Sequence, residues 1–216
     1  PLYIAATAVT LAVTYAVVVM TEAERPVPIT YAKSARGGKT YGGTQTYLPM
    51  RLNQAGVIPI IFALSILLFP QMILNIMASF NIAGAERLGT YVLDFFNNLP
   101  LYAATYFILV FLFTYFYTAV TFDPDAVSKN LQRNGAFVPG IRPGAQTAEY
   151  LGSLVTRLTL VGAAFLGAVA ILPIGMQMVT GVAALAIGGT ALLIVVTVVL
   201  DLIRRIDGQI SLRDYN

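Results

Sequence analysis

Long apolar runs separated by polar connections dominate the hydropathy pattern of this chain. Each run is long enough to cross about 30 Å of hydrocarbon as an α-helix, and the five runs cover residues 2–20, 55–78, 101–120, 158–178 and 182–200. No stretch alternates apolar and polar residues in the manner of a barrel strand. Helices satisfy their own backbone hydrogen bonds in lipid, so the pattern predicts an all-α polytopic membrane protein with five transmembrane helices.

Composition supports this class and removes several chemistries. Charged residues make up 11% of the chain, roughly half the share in an average soluble domain. There is no cysteine and no histidine, which excludes disulfides, Cys/His metal sites and histidine acid–base catalysis. No ionisable residue lies at the centre of a run, which disfavours a proton pump, a voltage sensor or an intramembrane carboxylate protease. We expect no cofactor and no enzymatic activity.

Lys and Arg are unevenly distributed among the connections, and cytoplasmic connections carry the excess. Residues 21–51 hold five, residues 122–157 hold four and the tail after Leu200 holds three, whereas the other two connections share Arg87. The connections 21–51 and 122–157 and the C-terminus are therefore predicted to be cytoplasmic, with the N-terminal end of the chain outside. The first run lacks the basic start of a signal peptide, and because the chain begins at Pro1 we expect further sequence upstream.

The most specific polar segment is residues 134–150. Within it, Pro139-Gly140 and Pro143-Gly144 fix two turns, because proline presets φ and glycine accepts positive φ. Arg142 lies between the turns. A stiff loop that presents one Arg predicts a docking element for a large partner.

The second apolar run is interrupted by prolines. Pro59 removes a backbone donor, so the run is predicted to bend or open near Ala55, and Pro70 repeats the effect. On a helix, one strip within about 60° holds polar and β-branched side chains, namely Gln54, Ile58, Ile61 and Ser65. Polar groups are expensive in lipid, so the strip should face protein or water. Two interpretations stay open: routine packing around small residues, or a kinked helix that moves.

Two other connections allow weaker statements. Gly37 to Thr40 resembles a phosphate loop, but the Walker pattern requires a glycine where Lys33 stands and a preceding strand. A solvated, mobile loop that contacts a partner or lipid headgroups is the better interpretation. The connection 79–100 mixes aromatic and apolar residues with few charges. It is either a short interfacial amphipathic helix or an ordinary loop.

Several of these segments together resemble the SecY family, the central subunit of the bacterial protein-conducting channel. The resemblance covers most of the chain. It is carried by residues 53–69, by Phe-Val-Pro-Gly-Ile-Arg-Pro-Gly with Gln-Thr-Ala-Glu-Tyr in residues 137–150, by residues 156–162 and by residues 188–194. It implies a channel of ten spans in two halves related by an inverted repeat. Residues 1–216 would be its C-terminal half, spans six to ten.

The resemblance also implies roles for individual residues. Ile61 and Ile194 match pore-ring positions, where a narrow aliphatic collar blocks ions yet deforms around a passing chain. The lateral gate, which releases hydrophobic segments into lipid, is expected to involve Asn53, Gln54, Ser65 and Phe69. Partner docking is expected to involve Arg142, Pro139, Gly140, Pro143, Gly144, Lys39 and Arg36. The chain departs from the family pattern at Gln132, where Lys is common, and in a tail with no net charge.

The function implied by the resemblance is translocation of unfolded polypeptides across the bacterial plasma membrane and lateral release into lipid. Expected partners are the SecE and SecG subunits, the SecA motor or the ribosome, signal sequences and nascent polypeptides, membrane lipids and the missing N-terminal half. One alternative is half of a small-solute transporter with the Pro59 span as its broken helix, but the spans offer few polar ligands near the midplane. A membrane scaffold is the other, and it leaves the stiff Arg142 loop unexplained.

Overall fold

A computed structural model of the chain describes residues 2–32, 34–36, 39–41, 45–80 and 85–181, and, further on, residues 191, 194, 195, 198, 199, 202, 203 and 206. Six helices and five short strands follow one another in these ranges. They are α1 (Leu2–Glu22), β1 (Glu24–Tyr31), β2 (Ser34–Arg36), β3 (Lys39–Tyr41), β4 (Gln45–Arg51), α2 (Ile58–Ser79), α3 (Ala85–Asn97), α4 (Leu99–Thr121), α5 (Pro124–Arg133), β5 (Ala136–Phe137) and α6 (Ala145–Thr180).

Apolar helices form the bulk of the molecule, as predicted. Among the residues described, three helical segments are long and apolar enough to cross a membrane: Ile58–Ser79, Leu99–Arg133 and Ala145–Thr180. Helices α1, α2, α4 and α6 overlie the first four predicted runs. In the fifth, every described residue from 191 to 206 is helical, while residues 182–190 lie outside the described part. The chain is therefore an all-α membrane protein with a minor sheet.

Helices α2, α4 and α6 share one core. Their buried apolar residues are Val57, Ile60, Ala63 and Leu67 from the α2 segment, Tyr106 and Val110 from α4, and Leu166, Ala170 and Ile174 from α6. The helical spacing of these residues gives each helix one buried face. Helix α1 is attached more sparingly, through Val17 against Val169 and Phe165. Among the described residues, the opposite face of α2 is exposed, and it is apolar too.

Helix α6 extends well beyond the predicted span 158–178. Its 36 residues measure about 54 Å at 1.5 Å per residue, against about 30 Å of hydrocarbon. The additional turns at its N-terminal end bury Thr147, Ala148, Leu151, Leu154 and Val155 against protein. Hydropathy marks only the part of a helix that faces lipid, which is why the pattern did not predict these turns.

A small sheet lies in the two connections that were predicted to be cytoplasmic, 21–51 and 122–157. Strands β4, β1 and β5 form one sheet in that order, with antiparallel pairing, and β2 and β3 form a separate hairpin. Of the segment 37–40, which was predicted to be a solvated, mobile loop, residues 37 and 38 lie outside the described part of the structure. Lys39 and Thr40 lie in strand β3 rather than at the start of a helix, so the structure disagrees with a phosphate loop there.

Prolines concealed this sheet from the sequence. Pro26 lies directly opposite Pro49 in the β1–β4 pair, and since neither has an N–H, this pair is one of the non-hydrogen-bonded ones. Hydrogen-bonded and non-hydrogen-bonded pairs alternate in antiparallel sheets, so Pro28 opposite Tyr47 is non-hydrogen-bonded as well. All three prolines therefore fit without loss of a ladder bond.

Two short helices lie in the connections. Helix α5 begins at a clear signal: the Asp123 carboxylate accepts hydrogen bonds from the amides of Asp125 and Ala126 at 2.9 and 3.1 Å, and Pro124 occupies the first turn. Helix α3 lies in the connection 79–100, for which a helix and a loop were both considered, and its Phe95 packs edge-on against Tyr102 of α4.

The second run is not helical around Ala55, where a bend or an opening was predicted from Pro59. Helix α2 begins at Ile58, and Pro59 lies in its first turn, where the missing N–H has no intrahelical partner to lose. Residues 52–57 form turns instead of helix. Pro70 does lie inside α2, where a proline removes one intrahelical hydrogen bond, and the helix continues to Ser79.

Candidate functional site

The Arg142 loop is built on two glycines with left-handed backbone. Gly140 has φ +83° and Gly144 has φ +104°, a region that residues with a Cβ rarely adopt. Residues 138–141 close the first turn through a hydrogen bond from the Ile141 amide to the Val138 carbonyl at 3.1 Å. Gly144 caps α6, so the second Pro-Gly pair starts a helix. The turns predicted at both pairs are present.

Two buried hydroxyl groups donate hydrogen bonds to backbone carbonyls of this loop. Thr147 donates from Oγ1 to the carbonyl of Arg142 at 2.9 Å, and Ser128 donates from Oγ to the carbonyl of Gly144 at 2.7 Å. Both side chains are 2% exposed. Sequence reasoning missed both roles, although a Thr three residues after a helix-starting Gly was a visible signal.

Arg142 is presented outward. Its residue is exposed, and over the ranges that the structure describes, its guanidinium has no hydrogen bond or ion pair. The hydrogen bonds to the carbonyls of Arg142 and Gly144 fix the backbone of the loop, while the Arg142 side chain remains exposed. A planar guanidinium in this state can bind a carboxylate or phosphate through two parallel hydrogen bonds.

We call the body beneath the loop the platform: strands β1, β4 and β5, helix α5 and residues 145–158 of α6. Its core contains Val27, Ile29, Met50, Val138, Leu154, Val155 and Leu158. Strand β5 pairs with β1 through Thr30–Phe137 and Tyr31–Ala136, and the amide of Ala32 donates to the Gly135 carbonyl at 2.8 Å. The two connections predicted to be cytoplasmic are thus packed into one body.

The second set of predicted docking residues, Arg36 and Lys39, lies on the β2–β3 hairpin. The two residues face each other across the pair. Their side chains are outside the described part of the structure, as is Lys33 entirely. The structure therefore does not join Arg36 and Lys39 to Arg142 in one site.

Asn53 forms the turn between β4 and α2. Its side chain is 8% exposed; Nδ2 donates to the Gly56 carbonyl at 3.3 Å, and Oδ1 accepts from the Gly56 amide at 3.1 Å. Gly56 has φ +63°, which completes the turn. The polar group expected at a gate is therefore engaged with its own turn, directly before the first residue of α2.

The predicted pore-ring residue Ile61 and the predicted gate residues Ser65 and Phe69 lie along the exposed side of α2. Ile61 is 42% exposed and Phe69 is 59% exposed, two helical turns apart. Ser65 between them is exposed, and its hydroxyl donates back to the Ile61 carbonyl at 2.8 Å. On α2 itself this side is therefore apolar in effect, because the Ser65 hydroxyl is satisfied by its own helix.

A cavity of about 270 Å³ lies beside this strip. It is lined by Gln54, Ala55, Gly56, Val57, Ile58, Ile61, Tyr117, Val198 and Leu202. The start of α2 and the helical residues 198 and 202 thus face each other across a small space. Ile194 is helical and half-buried one turn before Val198, so both predicted pore-ring residues lie on elements that border this space, although Ile194 does not itself line the cavity.

Gly162 was not predicted, and it lies where α6 passes the turn that precedes α2. A Cβ placed on Gly162 would lie 2.6 Å from the Leu52 carbonyl oxygen and 3.7 Å from the Asn53 Cα. The two backbones are in contact because no side chain separates them. A buried glycine among the apolar residues of α6 is the only sequence signal for this contact, and it does not reveal the partner.

Comparison with known proteins identifies relatives along nearly the whole chain. The SecY family model matches residues 2–203. The protein translocase subunit SecY of Mycobacterium leprae is 42% identical over 214 residues, which cover 95% of this chain and 48% of that protein. The SecY of Thermus thermophilus is 46% identical over 197 residues, covering 90% of this chain and 43% of that protein. The chain spans about half the length of these relatives.

Solved structures agree at the level of fold. A structure described as that of a protein conducting channel superimposes with a TM-score of 0.59 and 18% identity, over 94% of this chain and 48% of that one. A second, described by a plug domain that stabilises the closed state of the SecY channel, gives a TM-score of 0.58 and 19% identity over 94% of this chain and 49% of that one.

Proposed function

This chain belongs to the SecY family, and we propose that it forms the C-terminal half of a channel that moves unfolded polypeptides across the bacterial plasma membrane and releases hydrophobic segments into lipid. Its relatives are named as translocase subunits, which is transport rather than catalysis, so we assign no reaction to the chain. The observation that carries the proposal is a packed platform whose loop presents Arg142, joined directly to a helix with an exposed apolar face.

The platform is proposed to face the cytoplasm, with the N-terminal end of the chain outside. Lys and Arg support this orientation, because cytoplasmic connections carry the excess. The exposed residues Arg25, Arg51, Lys129, Arg133 and Arg142 all belong to the platform or the loop above it. Arg87 lies in α3, beyond the other end of α2.

Partner docking is proposed to occur at Arg142. The partner is a large cytoplasmic machine, the SecA motor or the ribosome, which would supply the driving force through a carboxylate or an RNA phosphate bound by the guanidinium. Pro139, Gly140, Pro143 and Gly144 fix the loop, and Arg36 and Lys39 on the hairpin would add a second basic contact. The SecE and SecG subunits complete the proposed complex.

The uncovered face of α2 is proposed to serve the translocating chain. Ile61 and Ile194 would contribute two positions of the aliphatic pore ring, and the missing N-terminal half would supply the rest. Asn53, Gln54, Ser65 and Phe69 would line the lateral gate, where a signal sequence meets lipid. The near absence of free polar groups along this face suits a surface that must accept hydrophobic segments.

Charge reversal at the loop tests the docking proposal. Arg142→Glu should leave the amount of channel in the membrane unchanged and abolish most partner-driven export of a reporter protein in inverted vesicles. Arg142→Lys should be impaired less, because an ammonium keeps the charge but loses the bidentate fork. Arg25→Glu, an equal charge change on another exposed platform residue, is the control. Normal export by Arg142→Glu at normal channel levels would contradict the proposal.

A further inference from the structure

We propose that Gly162 is a positioning residue that seats the start of α2 against α6 and thereby couples partner docking to the gate. This inference rests on the proposed function, since it assigns a mechanical link between the docking loop and the gate helix. It begins from one close contact, the Leu52 carbonyl oxygen at 2.6 Å from a Cβ built on Gly162.

The contact is so close that any side chain at position 162 would have to displace the Leu52 backbone. Real Cβ atoms essentially never lie under 3.0 Å from another heavy atom, so alanine would force the two backbones apart by at least about 0.4 Å. The atom in the way belongs to the backbone, which cannot rotate aside as a side-chain tip can. Leu52 is held in turn by its amide, which donates to the Ala23 carbonyl at 3.1 Å.

The residues next to this contact lead directly to the gate helix. Asn53 follows Leu52, and its side chain closes the turn onto Gly56. Helix α2 begins two residues later, at Ile58. A displacement at Leu52 therefore reaches the first turn of α2 through a turn that is closed by two hydrogen bonds and has little freedom to absorb it.

The other side of the contact leads directly to the docking loop. Helix α6 begins immediately after Gly144, and its Thr147 holds the Arg142 carbonyl. Strand β4, which ends at Arg51, pairs with β1, and β1 pairs with β5 just before the loop. Two routes from Arg142, along α6 and across the sheet, thus converge at Gly162 and Leu52.

Three glycine-to-alanine variants in α6 separate this link from general packing. In Gly162→Ala, the added Cβ would clash with the carbonyl oxygen of Leu52. Gly167→Ala would meet the Phe107 ring at 2.7 Å and disturb the α4–α6 contact instead. At Gly152 the nearest atom is Pro124 Cγ at 3.5 Å, an ordinary contact, so Gly152→Ala controls for the loss of glycine alone.

The first measurement follows the position of the turn. The chain has no cysteine, so a full-length channel with Gln54→Cys and no other cysteine reports on this turn through its maleimide labelling rate in membranes. Gly162→Ala should raise that rate by about fivefold or more, the lower range of typical couplings between sites. Gly152→Ala and Gly167→Ala should leave it close to the parent rate.

The second measurement follows the gate. Alanine at position 162 destabilises the arrangement with α2 seated on α6 and so favours the unseated one. We expect export of a reporter with a weakened signal sequence to rise by about fivefold or more. Gly152→Ala and Gly167→Ala should export this reporter as the parent channel does. Asn53→Ala, which frees the same turn from its other side, should raise labelling as well and serves as the second variant if Gly162→Ala does not accumulate.

The outcomes distinguish the inference from the function on which it rests. Raised labelling and raised export in Gly162→Ala, with both control glycines silent, support the coupling. Unchanged labelling, unchanged export, or equal effects in all three glycine variants overturn it, while the export defect of Arg142→Glu would still stand for the docking proposal. If Arg142→Glu exports normally, the docking proposal fails whatever Gly162→Ala does.

Discussion

The backbone conformation of Gly144 helps to hold the loop that exposes Arg142. Gly144 has φ +104° and ψ −134°, a combination that is essentially restricted to glycine and costs a residue with a Cβ about 1–3 kcal/mol. Gly144→Ala should therefore loosen the loop, with faster amide hydrogen exchange across residues 136–148. Gly152→Ala in the same helix, with ordinary φ, should not change that exchange. Equal exchange in both variants would show that the loop does not depend on the glycine.

The seal of the channel is predicted to depend on apolar side chains at two positions. Ile61→Asn or Ile194→Asn should wet the constriction and raise ion conductance of the resting channel in planar bilayers, because dewetting requires apolar walls. Ile61→Val keeps the wall apolar and should stay silent. If the Asn variants are as silent as the Val control, the pore-ring assignment of these residues is wrong.

The sequence predicted the role of a residue only where neighbouring residues determine that role. The turns at Pro139-Gly140 and Pro143-Gly144 follow from φ preferences that neighbouring residues alone determine. Asn53 could be singled out, but not the use of its amide, since both hydrogen bonds go to Gly56 instead of another helix. Gly162 could not be predicted at all, because its partner lies more than a hundred residues earlier in the chain.

At the scale of elements, the two prolines of the second run have opposite effects. Pro59 lies in the first turn of α2 and Pro70 lies in its interior, where the missing N–H leaves the Ile66 carbonyl without its usual partner. Pro70→Ala should restore that bond and slow amide exchange around residues 67–74 by about tenfold or more, since an interior proline costs a helix about 3 kcal/mol. Pro59→Ala should change exchange little. A larger slowing of exchange in Pro59→Ala than in Pro70→Ala would contradict this assignment.

Apolar runs predicted where the helices of the bundle lie, because lipid demands long helices with apolar surfaces. The same hydropathy pattern does not predict the platform. Pro26 and Pro28 in β1 argue against a strand when the sequence is considered alone. Only the pairing with β4 shows that both prolines are compatible with the hydrogen-bonded ladder. The extension of α6 to Ala145 is likewise stabilised by packing against protein, which no hydropathy window detects. Asp123-Pro124 was a readable helix start for α5.

At the scale of the whole molecule, the platform joins the bundle of α2, α4 and α6 along α6, through the turn before α2 and at the junction of α4 and α5. The platform core and the core shared by α2, α4 and α6 are separate apolar clusters, and Leu158 and Gly162 lie one helical turn apart where they meet. A load on the platform therefore reaches the bundle both along α6 and through the turn that precedes α2. The face of α2 that it would move, with Ile61 and Phe69, is covered by no other described element.

A crosslinking scan against a stalled signal sequence tests this arrangement in the complete channel. Photoreactive side chains at positions 53–69 should report contacts at Ile61, Ser65 and Phe69, which are exposed along one side of α2. Ala63 and Leu67, at 0% and 5% exposure in the shared core, should report none. This periodicity follows because a signal segment inserting at the gate can reach only the uncovered side of the helix. Contacts at Ala63 and Leu67 as strong as those at Ile61 would mean that α2 leaves the bundle entirely, whereas no contacts at all would assign the helix to passive packing.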